Sequence, residues 1–251
     1  MGDGDWTQVW VKAGTEVWRV ETGVMNHYVK IGPPADIAAE AEAMAWLTPR
    51  SPVAVPDVQA HAPDHAGRGW LVTAGLAGVP AHSPELRMGS VEGLVEALGR
   101  GLRRFHDGLD PNSCPVDRRV AVLVPSARRR LARGGIDPAT MSPTYRRRTP
   151  EQLLDLLENT RPEDPAADVV VAPGAPCLPN LLCDPATATL IGLVDLGRVG
   201  VSDRYRDLAI ASRTLVENLG PEVVWRFFAA YGLADPDPAR LEWYVLVDDL
   251  W

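Results

Sequence analysis

Val171-Ala172-Pro173-Gly174-Ala175-Pro176-Cys177-Leu178-Pro179-Asn180, followed by Gly192-Leu193-Val194-Asp195-Leu196-Gly197-Arg198, is the stretch that decides the fold. Asp168 to Val171 and Leu190 to Asp195 read as two short apolar strands. A loop and a turn join them. Pro173, Pro176 and Pro179 stiffen that loop, and Pro173 also removes a backbone donor and fixes φ.

Downstream, two helices are expected near 205–218 and 221–231, and a third near 238–250. Upstream, Thr149 is placed to cap a helix through Leu153, Leu154 and Leu157. The Arg triplets within 128–148 read as a solvated helix face. Ser90 is a candidate N-cap for Val91, Leu94, Val95, Leu98, Leu102 and Phe105, which fall at helical spacing, with Gly108 as the stop. Residues 108–120 read as a loop. Residues 6–31 read as strands, with Lys12-Ala13-Gly14-Thr15 as a hairpin turn and His27 to Ile31 as the third strand. Gly32-Pro33-Pro34 breaks that strand, and 35–47 reads as a helix. Trp70 to Thr73 is a short buried strand, and Gly75 to Pro80 a hinge. The sum is an α+β protein of two lobes: 1–74 with antiparallel strands and one helix, 75–82 as hinge, and 83–251 as a helical lobe. A cleft between lobes is a common place for a ligand.

Composition excludes several classes. The net charge of -8 opposes binding to phosphate backbones, so no nucleic-acid partner is expected. The same charge suits cationic small molecules, or merely keeps the chain soluble. Three cysteines without a framework spacing argue against a disulfide scaffold and for a reducing, cytoplasmic setting. The first residues lack a signal-peptide pattern, and no apolar run approaches a membrane span, so no membrane partner is expected. Pro63 lies between His61 and His65, which makes a zinc pair there improbable. His106 reads as a structural or capping residue. The chain holds only two lysines, Lys12 and Lys30, so a surviving lysine marks a place where arginine is a poor substitute.

The run from Asp195 to Ala209, together with Cys114-Pro115-Val116-Asp117-Arg118-Arg119 and Gly78-Val79-Pro80-Ala81, resembles the aminoglycoside O-phosphotransferases, most of all their streptomycin 3''-phosphotransferase branch. The resemblance spans nearly the whole chain and implies a bilobal protein-kinase-like fold. It implies ATP, or another nucleoside triphosphate, and magnesium as cofactors. Phosphoryl transfer needs a cation on the donor phosphates, oxygen ligands for metal, and a base or acceptor for the attacking hydroxyl. By resemblance, Lys30 pairs with the phosphates and Glu40 holds Lys30. Thr15, in the loop between the first strands, covers the phosphates. Thr73, Ala74 and Leu76 belong to the segment that binds adenine. Asn180 and Asp195 are the metal ligands, since a hard cation prefers oxygen. A cationic aminosugar is the implied partner, held by Asp248, Asp249 and the Trp251 terminus, with Arg198, Asp155 and Glu158 as further candidates. Each of these also reads as a plain surface charge, and for Asp155 and Glu158 that reading is the preferred one.

The pattern breaks in the loop quoted first. The family motif is His-Gly-Asp, four residues, then Asn; here Pro173 stands for His and Ala175 for the catalytic Asp. A methyl group accepts no proton, and base assistance is worth about 10²–10⁴-fold. Phosphoryl transfer is therefore expected to be lost or strongly impaired. The alternatives are an engineered knockout, which Pro173 argues against, a natural pseudokinase that binds a small molecule or a protein partner, and an enzyme that uses the cleft for other chemistry.

Overall fold

A computed structural model describes residues 4–12, 14–23, 25–136, 141–163 and 168–250. The first lobe is a five-stranded antiparallel sheet in the order β1-β2-β3-β5-β4. Its strands are β1 (Asp5–Lys12), β2 (Thr15–Glu21), β3 (Asn26–Gly32), β4 (Val58–Pro63) and β5 (Gly69–Ala74). Helix α1 (Pro34–Leu47) begins with proline in its first turn, where the missing N–H costs nothing, and buries Ile37, Ala41 and Met44. Strand β4 was not expected from sequence. It is short, mostly exposed and ends at Pro63, which an edge strand tolerates.

The second lobe is helical, and its helix signals were legible. Ser90 accepts from the Gly93 amide and starts α3 (Val91–Asp107), with Gly108 at its C-cap. Thr149 and Gln152 form a reciprocal capping box at the start of α5 (Pro150–Asn159). The short α2 (Pro84–Arg87) precedes α3, and α4 (Val120–Ala132) lies between α3 and α5. The C-terminal helices are α6 (Tyr205–Leu219), α7 (Val224–Tyr231) and α8 (Pro238–Asp249).

Small strand pairs shape the loops between these helices. β6 (Val79–Pro80) pairs with β8 (Leu181–Cys183), which pairs with β9 (Leu190–Leu193). β7 (Val169–Ala172) pairs with β10 (Gly200–Asp203). The segment 75–80, expected as a plain hinge, thus ends in a strand. Asp203 is a fully buried member of β10 whose carboxylate takes Arg240.

The core does not divide at the hinge. One cluster runs from Ile37, Met44 and Leu71 of the sheet lobe to Leu94, Leu98, Leu193 and Phe227 of the helical lobe. A second cluster gathers Leu123, Leu153, Tyr205 and Tyr244 around α4, α5, α6 and α8.

Candidate active site between the lobes

The sheet register sets one wall of the cleft. Trp10 faces Val17, Val17 faces Lys30, and Lys30 faces Leu71 across four adjacent strands. Arg19, Tyr28 and Thr73 form the next such row. Side chains opposite one another in antiparallel strands lie on one face. All seven line a cavity of about 430 Å³, with Glu40, Ala74, Leu76, Leu182, Asn180 and Asp195.

Lys30 is the centre of the site. Its Nζ donates to Glu40 Oε2 at 2.6 Å and to Asp195 Oδ1 at 2.6 Å. Lys30 and Glu40 side chains are only 20% and 7% exposed, whereas Asp195 is 51% exposed toward the cleft. Burial alone would lower the lysine pKa, but the two carboxylates outweigh it and raise it, so the ammonium is retained. Burial raises the Glu40 pKa, which Lys30 only partly opposes. Burial pushes Asp195 up as well, yet Lys30 prevails and holds it below the ordinary carboxylate value.

The pairing of β8 with β9 brings Asn180 and Asp195 together. Leu181 pairs with Leu193, so the residue before β8 meets the loop after β9. Val194 N donates to Asn180 O at 3.1 Å, and Asn180 Nδ2 lies 3.5 Å from Asp195 Oδ2. Asp195 has φ of 58°, a left-handed conformation that Asp tolerates better than most residues. The strand expected through Asp195 ends at Leu193, and this bend turns the carboxylate back toward Lys30.

The loop before Asn180 is held from behind. Gly174 has φ of 87°, and a side chain there would collide with the Arg198 carbonyl. Its amide donates to Asp207 Oδ1 at 2.9 Å. The other Asp207 oxygen meets His106 Nε2 at 2.9 Å, and His106 Nδ1 meets the Tyr231 hydroxyl at 2.7 Å. Both side chains are fully buried. His106 is thus structural, as expected, while the anchoring part of Asp207 was not read. Ala175 presents a methyl; its carbonyl accepts from Asn180 Nδ2 at 3.0 Å and Cys177 N at 2.8 Å.

Other candidates lie differently from expectation. Thr15 belongs to β2, opposite Lys12, and packs on Gly32; it is not in the hairpin loop and does not line the cavity. Arg198 Nη1 binds Asp248 at 2.6 Å, and Arg213 binds both Asp248 and, at 3.1 Å, Asp249. These two aspartates are 14% and 6% exposed, so their charge is committed inside the protein, not held out for substrate amines. Glu158 pairs with Arg128, Asp155 is exposed on α5, and neither lines the cavity. Trp251 lies outside the described residues. Val9, Trp10, Arg19 and Tyr28 line the cleft but were not singled out; the same-face register that reveals them needs the strand pairing.

A family model described as phosphotransferase enzyme family matches residues 5–244. The chain belongs to the aminoglycoside phosphotransferase family. It is 36% identical over 236 residues to an aminoglycoside 3'-phosphotransferase of Streptomyces fradiae, covering 89% of this chain and 85% of that one. It is 35% identical to the streptomycin 3''-kinase of Streptomyces griseus, covering 98% and 92%. Among solved structures, an aminoglycoside-3'-phosphotransferase of type VIII superposes with a TM-score of 0.89 at 32% identity, covering all of this chain and 95% of that one. The aminoglycoside phosphotransferase APH(3'')-Id of Streptomyces rimosus, solved with ADP and streptomycin, gives 0.82 at 29%, covering 99% and 93%. The expected kinase-like α+β fold is therefore the fold of this family. No helix among the described residues is long and apolar enough to cross a membrane.

Proposed function

We propose that this family member keeps a nucleoside triphosphate and magnesium site in the cleft but has lost, or nearly lost, phosphoryl transfer to aminoglycoside hydroxyls. The observation that carries this reading is a contrast between a retained and a missing side chain. Lys30 is fully engaged between Glu40 and Asp195, while residue 175 offers a methyl. Lys30 is suited to the α- and β-phosphates. The apolar rows Val17, Leu71, Leu182 and Val194 are suited to a base, and Thr73 to Leu76 run along its edge. Asp195 and the Asn180 amide fit magnesium as hard oxygen donors, because the Asn180 nitrogen is already spent on the Ala175 carbonyl. Magnesium bound there would neutralise phosphate charge. Pro173, Ala175 and Pro176 carry no side-chain group that could take a hydroxyl proton. In relatives the acceptor is an aminoglycoside, as in the streptomycin complex named above. A second reading, a cleft repurposed for another small molecule, is favoured by Asp248 and Asp249, whose charges are neutralised by Arg198 and Arg213.

Calorimetry with ATP and magnesium is the direct test. Binding at micromolar to low-millimolar nucleotide is expected. No heat at millimolar nucleotide would end the claim that Lys30, Asn180 and Asp195 form a site.

A further inference from the structure

We propose that β1 is a self-association edge. Two copies of this chain pair antiparallel along Asp5–Lys12, about a two-fold axis, and join their sheets into one. The surface is separate from the nucleotide reading of the cleft and does not depend on it.

The two edges of the sheet differ. β4 is a poor pairing edge, ending in Pro63, which has no amide to donate. β1 is eight residues long, has no proline or glycine, and is exposed along its whole length. Trp6, Val9, Trp10 and Val11 are between 43% and 62% exposed there. Trp6 leans edge-on against Trp18 of β2 yet keeps much of its surface in water. β1 ends the strand order, so the backbone groups on its outer side have no strand to bond. A long apolar edge of this kind is a template for another strand.

The sequence of β1 fits a second copy of itself. With the two-fold axis between Gln8 and Val9, Asp5 meets the partner's Lys12. Trp6 then meets the partner's Val11, and Thr7 meets the partner's Trp10. Each pair recurs by symmetry. An opposite-charge pair and two pairs of tryptophan with a β-branched residue are combinations that stabilise antiparallel sheets. Among the described residues no ion pair engages Asp5 or Lys12. Asp5 also stands opposite Glu21, a like charge that Arg19 meets at 2.9 Å, and the partner's Lys12 would add a second cation there.

The faces agree as well, and only because of a bulge. Asp5, Thr7, Trp10 and Lys12 oppose Glu21, Arg19, Val17 and Thr15, alternate residues of β2 that share one face. Trp6 and Val11 oppose Val20 and Glu16, on the other face. Val9 is the extra residue that shifts the register between Gln8 and Trp10. Without it Asp5 and Lys12, an odd number of positions apart, would lie on opposite faces. A two-fold pairing could not then bring them together. Self-pairing uses the same edge on both copies, so it closes as a dimer. Pairing β1 onto β4 of another copy would leave an edge open at each end. Val9 and Trp10 also line the cleft, so the joined edge would lie at the rim of both clefts.

Sedimentation equilibrium of the full chain, over about a hundredfold range of concentration, tests this. The mass should rise from one chain to two and stop there. Asp5→Lys and Lys12→Asp each oppose like charges across the axis and should weaken the dimer about tenfold or more. The double variant, Asp5→Lys with Lys12→Asp, exchanges the charges and should return affinity to within about threefold of the natural chain. Thermal unfolding checks that the variants fold. Hydrogen exchange of the natural chain is a second measurement that needs no variant: β1 amides should slow as concentration rises, and β4 amides should not. A single-chain mass throughout would overturn the inference, as would growth past the dimer. So would a dimer that both single variants leave unchanged, a folded double variant no tighter than the single ones, or β1 exchange independent of concentration.

Discussion

At the scale of single residues, Lys30 is the one whose removal should be felt twice. Lys30→Met strands the buried Glu40 carboxylate and releases Asp195. Because Lys30 keeps some exposure, the loss of stability should sit near the low end for an orphaned buried ion, about 3 kcal/mol, read from urea unfolding. The same variant should lose most affinity for ADP. An isosteric Glu40→Gln should be milder, since the amide can still accept from Lys30. Lys30, Glu40, Asn180 and Asp195, which the fold brings together, were legible from sequence because they stand where the family motifs stand. Thr15 was not, because a hairpin turn and the first residue of a strand differ by one position. Asp248 and Asp249 were legible as acidic but not as paired, since Arg198 and Arg213 approach them from α6 and the Asp195 loop only in the folded chain.

At the scale of elements, the anchoring of the 173–180 loop is the informative feature. Asp207 of α6 joins that loop to His106 of α3 with every polar atom buried. Asp207→Ala should therefore leave the Gly174 amide and His106 Nε2 without partners. The expected readout is a cost of about 3 kcal/mol or more, together with faster hydrogen exchange in the loop than in α3. At the far end of the lobe, Thr149→Ala removes the capping box of α5 and should cost about 1 kcal/mol without altering nucleotide binding. Capped helices were readable because cap and period agree in α3 and α5. The misses were β4, β6, β8 and β10, and helices α2 and α4. The strands are two to six residues long, and partners distant in sequence define them. In α4, Pro125 and the arginines mask the apolar face of Val120, Leu123, Val124 and Ala127.

At the scale of the whole molecule, the core crosses the hinge, so the two lobes should unfold together. Acid should weaken the molecule for a nameable reason. Burial tends to raise the Asp248 pKa, but Arg198 and Arg213 lower it below its ordinary value, as Lys30 does for Asp195. A depressed folded pKa contributes stability above the unfolded value, near pH 4, which is lost as pH falls through it. Glu40, raised by burial, acts with the opposite sign and partly offsets this. Lys30, with a raised pKa, contributes until pH rises past its ordinary value near 10.5. The thermal midpoint should thus fall between about pH 5 and 3, and Asp248→Asn should be less stable at pH 7 and show a shallower fall.

In the proposed function the cleft is retained and its loop cannot serve a hydroxyl acceptor. Streptomycin phosphorylation by the natural chain and by the Pro173→His, Ala175→Asp double variant measures it most directly. Restoring imidazole and carboxylate should raise turnover by about 10²–10⁴ over the natural chain. A natural chain that already phosphorylates streptomycin at about 1–100 s⁻¹, the ordinary range for kinases, would contradict it.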